Sequence, residues 1–200
     1  TLARLVIFTY HCRMKKPIIT IAGLAGSGKS STAKRLATDL NYQRYSAGDF
    51  MRAMAAEKNI SLLELQKIAE ADHSIDQEID ERSAHLSEED NIIVDGRLAW
   101  YFIPNSFKVF LHLPIEIAGK RIWQDLQENP DRTGESFYNV NEVIAGIRNR
   151  VASNKKRYHD LYDIDFQDLK NFDLIIDTST TNLEQTVDQI KQSYKNWLNN

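Results

Sequence analysis

Short apolar runs recur along the chain, separated by stretches with a helical period. Ile18–Ala22, Tyr42–Tyr45, Ile92–Asp95, Val109–Leu113 and Leu174–Asp177 read as strands, because they are brief, β-branched and bounded by polar or turn residues. Between them, Ala33, Leu36, Ala37 and Leu40 fall on one face of a helix. Val140, Val143, Ile144, Ile147 and Val151 form a second stripe, and Leu183, Val187, Ile190, Tyr194 and Trp197 a third. Strands alternating with amphipathic helices predict an α/β fold in three layers: a parallel sheet of about five strands with helices on both faces. Ligands of such sheets bind beyond the carboxyl ends of the strands.

Two intervals exceed what a crossover between parallel strands needs, about a dozen residues. Residues 46–91 hold roughly three helical patterns, and residues 114–173 hold a strong turn signal, Glu128-Asn-Pro-Asp-Arg-Thr-Gly134, followed by a basic stretch from Arg148 to Arg157. Both are read as insertions that close over a site.

The chemistry starts at the first strand. Residues 23 to 31, Gly-Leu-Ala-Gly-Ser-Gly-Lys-Ser-Ser, complete a G-x-x-x-x-G-K-S loop between a strand and a helix. Gly23, Gly26 and Gly28 let the backbone aim N–H groups at one anion, and the helix N-terminus adds its partial positive charge. Lys29 reaches the β- and γ-phosphates, and the Ser30 hydroxyl suits Mg²⁺. The loop, from Gly23 through Leu24, Ala25, Gly26, Ser27, Gly28, Lys29 and Ser30 to Ser31, is therefore the expected nucleoside triphosphate site.

Phosphoryl transfer asks for positioning and for cations around the moving group. Arg52 follows the Ser46-Ala-Gly48-Asp49 turn, Arg97 follows the third strand, and Arg121 lies one helix after the fourth. Arg150 and Arg157 are seven apart, two helical turns, and so share a face. Arginine suits the task because its planar fork grips phosphate oxygens in pairs. Each also reads as an ordinary solvated surface cation. Asp95, at a strand end, is a candidate Mg²⁺ ligand, directly or through water, or a turn carboxylate. Asp49 reads as a ligand contact or as a helix cap. Asp76 and Asp80, four apart on one helix face, form a weaker set for a base or ribose. No nucleophile–histidine constellation and no H-E-x-x-H appears.

Composition narrows the partners. Two hundred residues, 42% hydrophobic and 26% charged, suit one globular domain. A net charge of −3 argues against a general nucleic-acid binder. The single cysteine, Cys12, leaves no internal disulfide framework and implies a reducing, cytoplasmic setting. The apolar run Leu2–Tyr10 is too short to cross a bilayer. Met14 is read as the natural start, residues 1–13 as an upstream extension, and residues 14–200 as the single domain.

The ordered series Gly23–Ser31, Ser46-Ala-Gly-Asp-Phe-Met-Arg52, Ile75-Asp-Gln-Glu-Ile-Asp80, Val94-Asp-Gly-Arg97 and Arg150…Arg157-Tyr158…Tyr162-Asp-Ile-Asp165 resembles the cytidylate kinases, closest to their short, archaeal-type branch within the P-loop nucleoside-monophosphate kinases. The resemblance covers about residues 15 to 180. It implies transfer of the γ-phosphoryl of ATP to CMP or dCMP with Mg²⁺, by a monomer. It implies that Ser46, Gly48, Asp49, Arg52, Asp80 and Arg97 bind the acceptor, with residues 46–91 as the monophosphate-binding region. Lys29, Arg97, Arg150 and Arg157 would stabilise the transferring group, Arg121 would border the lid or the adenine, and Ser30 and Asp95 would hold the metal. Other small-metabolite kinases of the fold, adenylate-, shikimate- or dephospho-coenzyme A kinase-like, are the alternative, and a non-catalytic nucleotide-binding module is a further one. Two departures concern specificity. Bacterial members read R-D-x-x-D-x-x-R where this chain has Arg150-Val-Ala-Ser-Asn154-Lys-Lys-Arg157, so the acid that contacts the sugar is Asn154 here. The acid after the Asp-Gly-Arg set is Leu98.

Overall fold

A computed structural model describes residues 15–128 and 137–200. The N-terminal extension read from the sequence, and the Asn129–Gly134 part of the turn signal, lie outside the described residues. Five strands form one all-parallel sheet in the order β2-β3-β1-β4-β5: β1 Ile18–Gly23, β2 Gln43–Ser46, β3 Ile92–Asp95, β4 Phe107–His112 and β5 Leu174–Asp177. Eight α-helices accompany it among the described residues: α1 Lys29–Leu40, α2 Ala47–Glu57, α3 Leu62–Ala71, α4 Ser74–His85, α5 Ala99–Phe102, α6 Ile115–Glu128, α7 Val140–Tyr162 and α8 Leu183–Asn199.

Alternation along the strands decides the layers. Ile19, Ile21, Ile93, Phe107, Val109 and Leu111 face α1 and α8, where they meet Leu36, Val187, Ile190 and Tyr194. Ile18, Ile92 and Val94 point the other way, onto Ala99 and Ile103. Ala22 and Phe110 do the same and meet Trp100. Both faces of the central strands are buried, as the unbroken apolar runs required.

The interval 46–91 carries α2, α3 and α4, which share a small core of their own around Met54, Leu65, Ala69 and Ile79. β4 begins at Phe107, two residues before its predicted start, because Lys108 interrupts the apolar pattern without interrupting the pairing to β1. β2 runs one residue later than predicted, since Tyr42 bonds back to the end of α1 through Ala37 O and Gln43 begins the ladder. The four-residue α5 was not predicted; Ala-Trp-Tyr-Phe has no polar face to give it a helical period.

Two glycines set the approach of elements to the phosphate loop. Gly23 holds φ at +143°, and a Cβ there would lie 2.4 Å from the Leu111 carbonyl oxygen and 2.8 Å from Ser27 Oγ. Gly119 of α6 lets α7 pack close, since a Cβ would lie 2.3 Å from Ile144 Cγ1. Gly23→Ala is expected to cost about 3 kcal/mol or more, from the strained φ and a clash with backbone that cannot yield. A urea midpoint equal to that of the parent chain would show that the loop tolerates the group.

Candidate active site

The loop after β1 turns into α1 at Gly28, which occupies the N-cap in a left-handed conformation. Lys29 opens the helix, and its ammonium folds back to donate to the Leu24 carbonyl at 2.6 Å. Ser30 follows it at the cavity wall. Gly23, Leu24 and Ser27 are buried under the loop, and the Ser27 hydroxyl has no partner among the described residues.

Two cavities meet here. The larger, about 620 Å³, has the phosphate loop at one end, with Ala25, Lys29 and Ser30, and Asp76, Asp80 and Asn154 at the other. Arg52, Arg97, Arg150 and Arg157 all line it. The second, about 540 Å³, runs over the outside of the loop past Gly26, Gly28, Ser31 and Arg121, and Asp49 borders it. Lys29, Ser30, Arg52 and Arg150 line both. Residues from four distant segments thus converge on one place.

The cations crowd one another. Burial lowers the pKa of Arg97 below the ordinary arginine value, and Arg150 and Arg157 beside it push the same way against the opposing pull of Tyr158. Burial brings Lys29 down to about 7, helped by Arg97 and Arg150, while Asp95 opposes. A cleft whose cations repel one another is a cleft prepared for an anion. The turn that presents Arg97 is locked by Trp100, whose Nε1 donates to the Arg97 carbonyl at 3.0 Å. Arg121 donates to the Thr178 carbonyl at 2.6 Å, which pins α6 to the loop after β5.

Arg157 is less free than its position in the sequence suggests. Its Nε lies 3.1 Å from Asp76 Oδ2, and its Nη2 donates to Asn154 Oδ1 at 3.1 Å. All three are buried where α7 meets α4. Tyr162, a turn further along α7, donates to Asp80 of α4. The Asp76–Asp80 face, read as a weaker candidate from sequence, thus lies on the wall of the larger cavity.

Burial raises the Asp80 carboxyl to about 7; the Tyr162 hydroxyl opposes this and Asp76 adds to it. An acid whose native pKa lies above its unfolded one binds more protons when folded, so stability falls as pH rises between the two values. The fold is expected to lose stability from about pH 4 to about pH 7 at this residue, and Asp80→Asn to flatten that slope by on the order of 1 kcal/mol. Urea midpoints across the range check it; an unchanged slope would place the proton elsewhere.

Sequence reasoning missed Arg44. It sits in β2 and reaches Asp95 with Nε at 2.9 Å and Nη2 at 2.6 Å, while Nη1 reaches Asp49 at 3.0 Å. Ser46 donates to the other Asp95 oxygen at 2.9 Å. Asp95 is thus engaged at both oxygens rather than standing as a turn carboxylate. Asp49 is not the cap of α2: Ser46 is, accepting from the Asp49 N–H, and the Asp49 carboxylate instead bridges Arg44 and Arg52. Among the described residues no cluster of three His, Cys, Asp or Glu could hold a metal alone. A hydroxyl, Ser30, and a carboxylate, Asp95, on one cavity wall are hard oxygen donors of the kind Mg²⁺ takes when nucleotide phosphates and water complete its shell. With both its oxygens engaged, Asp95 fits that shell best through water. No helix among the described residues is long and apolar enough to cross a membrane.

The sequence pattern of the cytidylate kinase-like family matches residues 18–180. A cytidylate kinase of Methanosphaera stadtmanae is 40% identical over 180 residues, spanning 90% of this chain and 98% of that protein. One of Methanocaldococcus jannaschii is 35% identical over 184 residues, spanning 90% and 98%. Among solved structures, a shikimate kinase from Bacteroides thetaiotaomicron superposes with a TM-score of 0.60 at 15% identity, covering 88% of this chain and 96% of that one. A gluconokinase from Sinorhizobium meliloti does so with 0.58 at 14%, covering 94% and 96%. The last two show the P-loop kinase fold. The match over nearly the whole length means that the chain belongs to the cytidylate kinase-like family.

Proposed function

We propose that the protein transfers the γ-phosphoryl group of ATP to a nucleoside monophosphate, with CMP or dCMP as the acceptor, giving the diphosphate and ADP. The observation that carries this reading is the meeting of two cavities at Lys29 and Ser30, ringed by Arg52, Arg97 and Arg150. The cavity past Gly28 and Arg121 takes ATP, and the one reaching Asp76 and Asp80 takes the acceptor. Archaeal cytidylate kinases matched over nearly their whole length support the choice of acceptor.

In this reading the phosphate loop cradles the β- and γ-phosphates through backbone N–H groups, and Lys29 follows the charge as it moves. Arg52 and Arg97 hold the acceptor phosphate, and Arg150, facing both cavities, spans the transferring group. Arg157 acts from behind, tied to Asp76 and Asn154. Ser30, and Asp95 through water, would hold Mg²⁺, which when bound screens the phosphate charges. The nucleophile is an acceptor phosphate oxygen, already ionised at neutral pH, so no general base is needed; neither cavity is lined by a histidine. Residues 46–91 serve as the acceptor-binding region and 114–173 as the lid, whose closure excludes water and prevents loss of ATP to hydrolysis. The protein works as a monomer in the cytoplasm.

The test is an ADP-release assay with CMP, dCMP, UMP, AMP and GMP offered in parallel. CMP or dCMP is expected to be turned over with the highest kcat/KM. Preference for another base would overturn the acceptor assignment, and no turnover with any of them would overturn the reaction.

A further inference from the structure

We propose that Arg44 is a positioning residue for the acceptor phosphate, acting through Asp49 on Arg52. The inference rests on the nucleotide kinase reading above. The geometry begins with strand register. Arg44 and Ser46 are two apart on β2 and so share one face, and Ser46 lies beside Asp95 of β3. Both therefore reach the Asp95 carboxylate: Ser46 Oγ at Oδ1, Arg44 Nε and Nη2 at Oδ2. This end of the network is buried, with Arg44 and Asp95 side chains 15% and 5% exposed.

The third arm of the same guanidinium crosses to α2. Nη1 donates to Asp49 Oδ2 at 3.0 Å, and Asp49 Oδ1 accepts from Arg52. Arg52 is half exposed, and its guanidinium lies over Gly48, where a Cβ would stand 3.5 Å from Nη1. A long side chain in that position would otherwise sample many rotamers, and ordering it costs conformational entropy. The chain Asp95–Arg44–Asp49–Arg52 settles that ordering before the acceptor arrives, and preorganisation of this kind appears as affinity. Arg44 also keeps Asp49 paired, so that its charge does not oppose the incoming phosphate. Only a guanidinium can serve both carboxylates in this way: a lysine ammonium is a point charge on a flexible stem, without the fixed fork.

The test uses the full-length enzyme, with the KM of acceptor and of ATP measured separately and melting temperatures in parallel. Arg44→Lys keeps a cation on Asp95 but cannot bridge to Asp49. Asp49→Asn keeps the Arg44–Asp95 pair and cannot accept from two guanidiniums at once. Each is expected to raise the acceptor KM about tenfold and the ATP KM clearly less, since Arg44 and Asp49 border the second cavity and of the three only Arg52 reaches the larger one as well, and the double variant is expected to be no worse than either single, as two cuts in one chain should be. An unchanged acceptor KM, equal rises in both KM values, or single effects that multiply in the double variant would overturn the proposal. Should Arg44→Lys fail to fold, Asp49→Asn decides alone, since Asp49 is exposed and outside the core. An active parent enzyme with unaltered variants defeats only the role of Arg44; a parent enzyme that phosphorylates no monophosphate defeats the kinase reading and this inference with it.

Discussion

Lys29→Ala is expected to lower kcat by about a thousandfold or more, because in the proposed reaction its ammonium follows charge onto the leaving β-phosphate. Its fold should survive unharmed. Burial brings the Lys29 ammonium down to about 7, so the native state bears a cost to keep it charged. Taking the side chain away removes that cost, and the ligand-free melting temperature should stay level or rise. The pH dependence follows with a definite sign. A base whose native pKa lies below its unfolded value binds fewer protons when folded, so stability rises with pH between about 7 and about 10.5. That rise should vanish in the variant. ATP reverses the balance: its phosphates restore the charge, so binding at pH 8 should take up as much as about one proton per site. Calorimetry in buffers of different ionisation enthalpy measures the uptake. Unchanged turnover in the variant would end the role given to Lys29; proton-neutral ATP binding in the parent enzyme would mean that the ammonium is not the group that responds.

How much of this was legible beforehand depended on how local each signal is. β1, β3 and β5 stood out because each is a compact β-branched run with a sharp border, and the phosphate loop because its chemistry lies within nine consecutive residues. Arg52 and Arg97 could be chosen because the parallel-sheet rule places strand ends at the site, and Arg150 because it shares a helix face with Arg157; all three line the same cavity. Arg44 could not. A charged residue in a short strand has the pattern of a solvent-facing position, and only the register of β2 against β3 puts it on Asp95. The α4–α7 contact was hidden for a related reason. Asp76 and Asp80 mark one helix face, but that Arg157 and Tyr162 meet it across some eighty residues is a property of the packing. α5 was missed because its four residues, Ala-Trp-Tyr-Phe, are all apolar or aromatic and carry no period.

Arg97→Ala is expected to raise the acceptor KM about a hundredfold, or to lower kcat by as much, with the ATP KM little changed. The asymmetry comes from where Arg97 stands. It lines the larger cavity and not the one that passes Arg121. Burial works against the Arg97 cation, and Arg150 and Arg157 on the α7 side push the same way, while Tyr158 favours it. Its removal should therefore leave the melting temperature unchanged or slightly higher while binding collapses, the opposite of what loss of a structural arginine does. Arg97→Lys should recover little, because one ammonium cannot hold two phosphate oxygens in a fixed plane. Steady-state kinetics with each substrate varied in turn, beside thermal melts, read both halves of the expectation. A variant that melts several degrees lower with both KM values moved alike would make Arg97 a support for the β3 turn, and the acceptor phosphate would then have to be held by Arg52 and Arg150 alone.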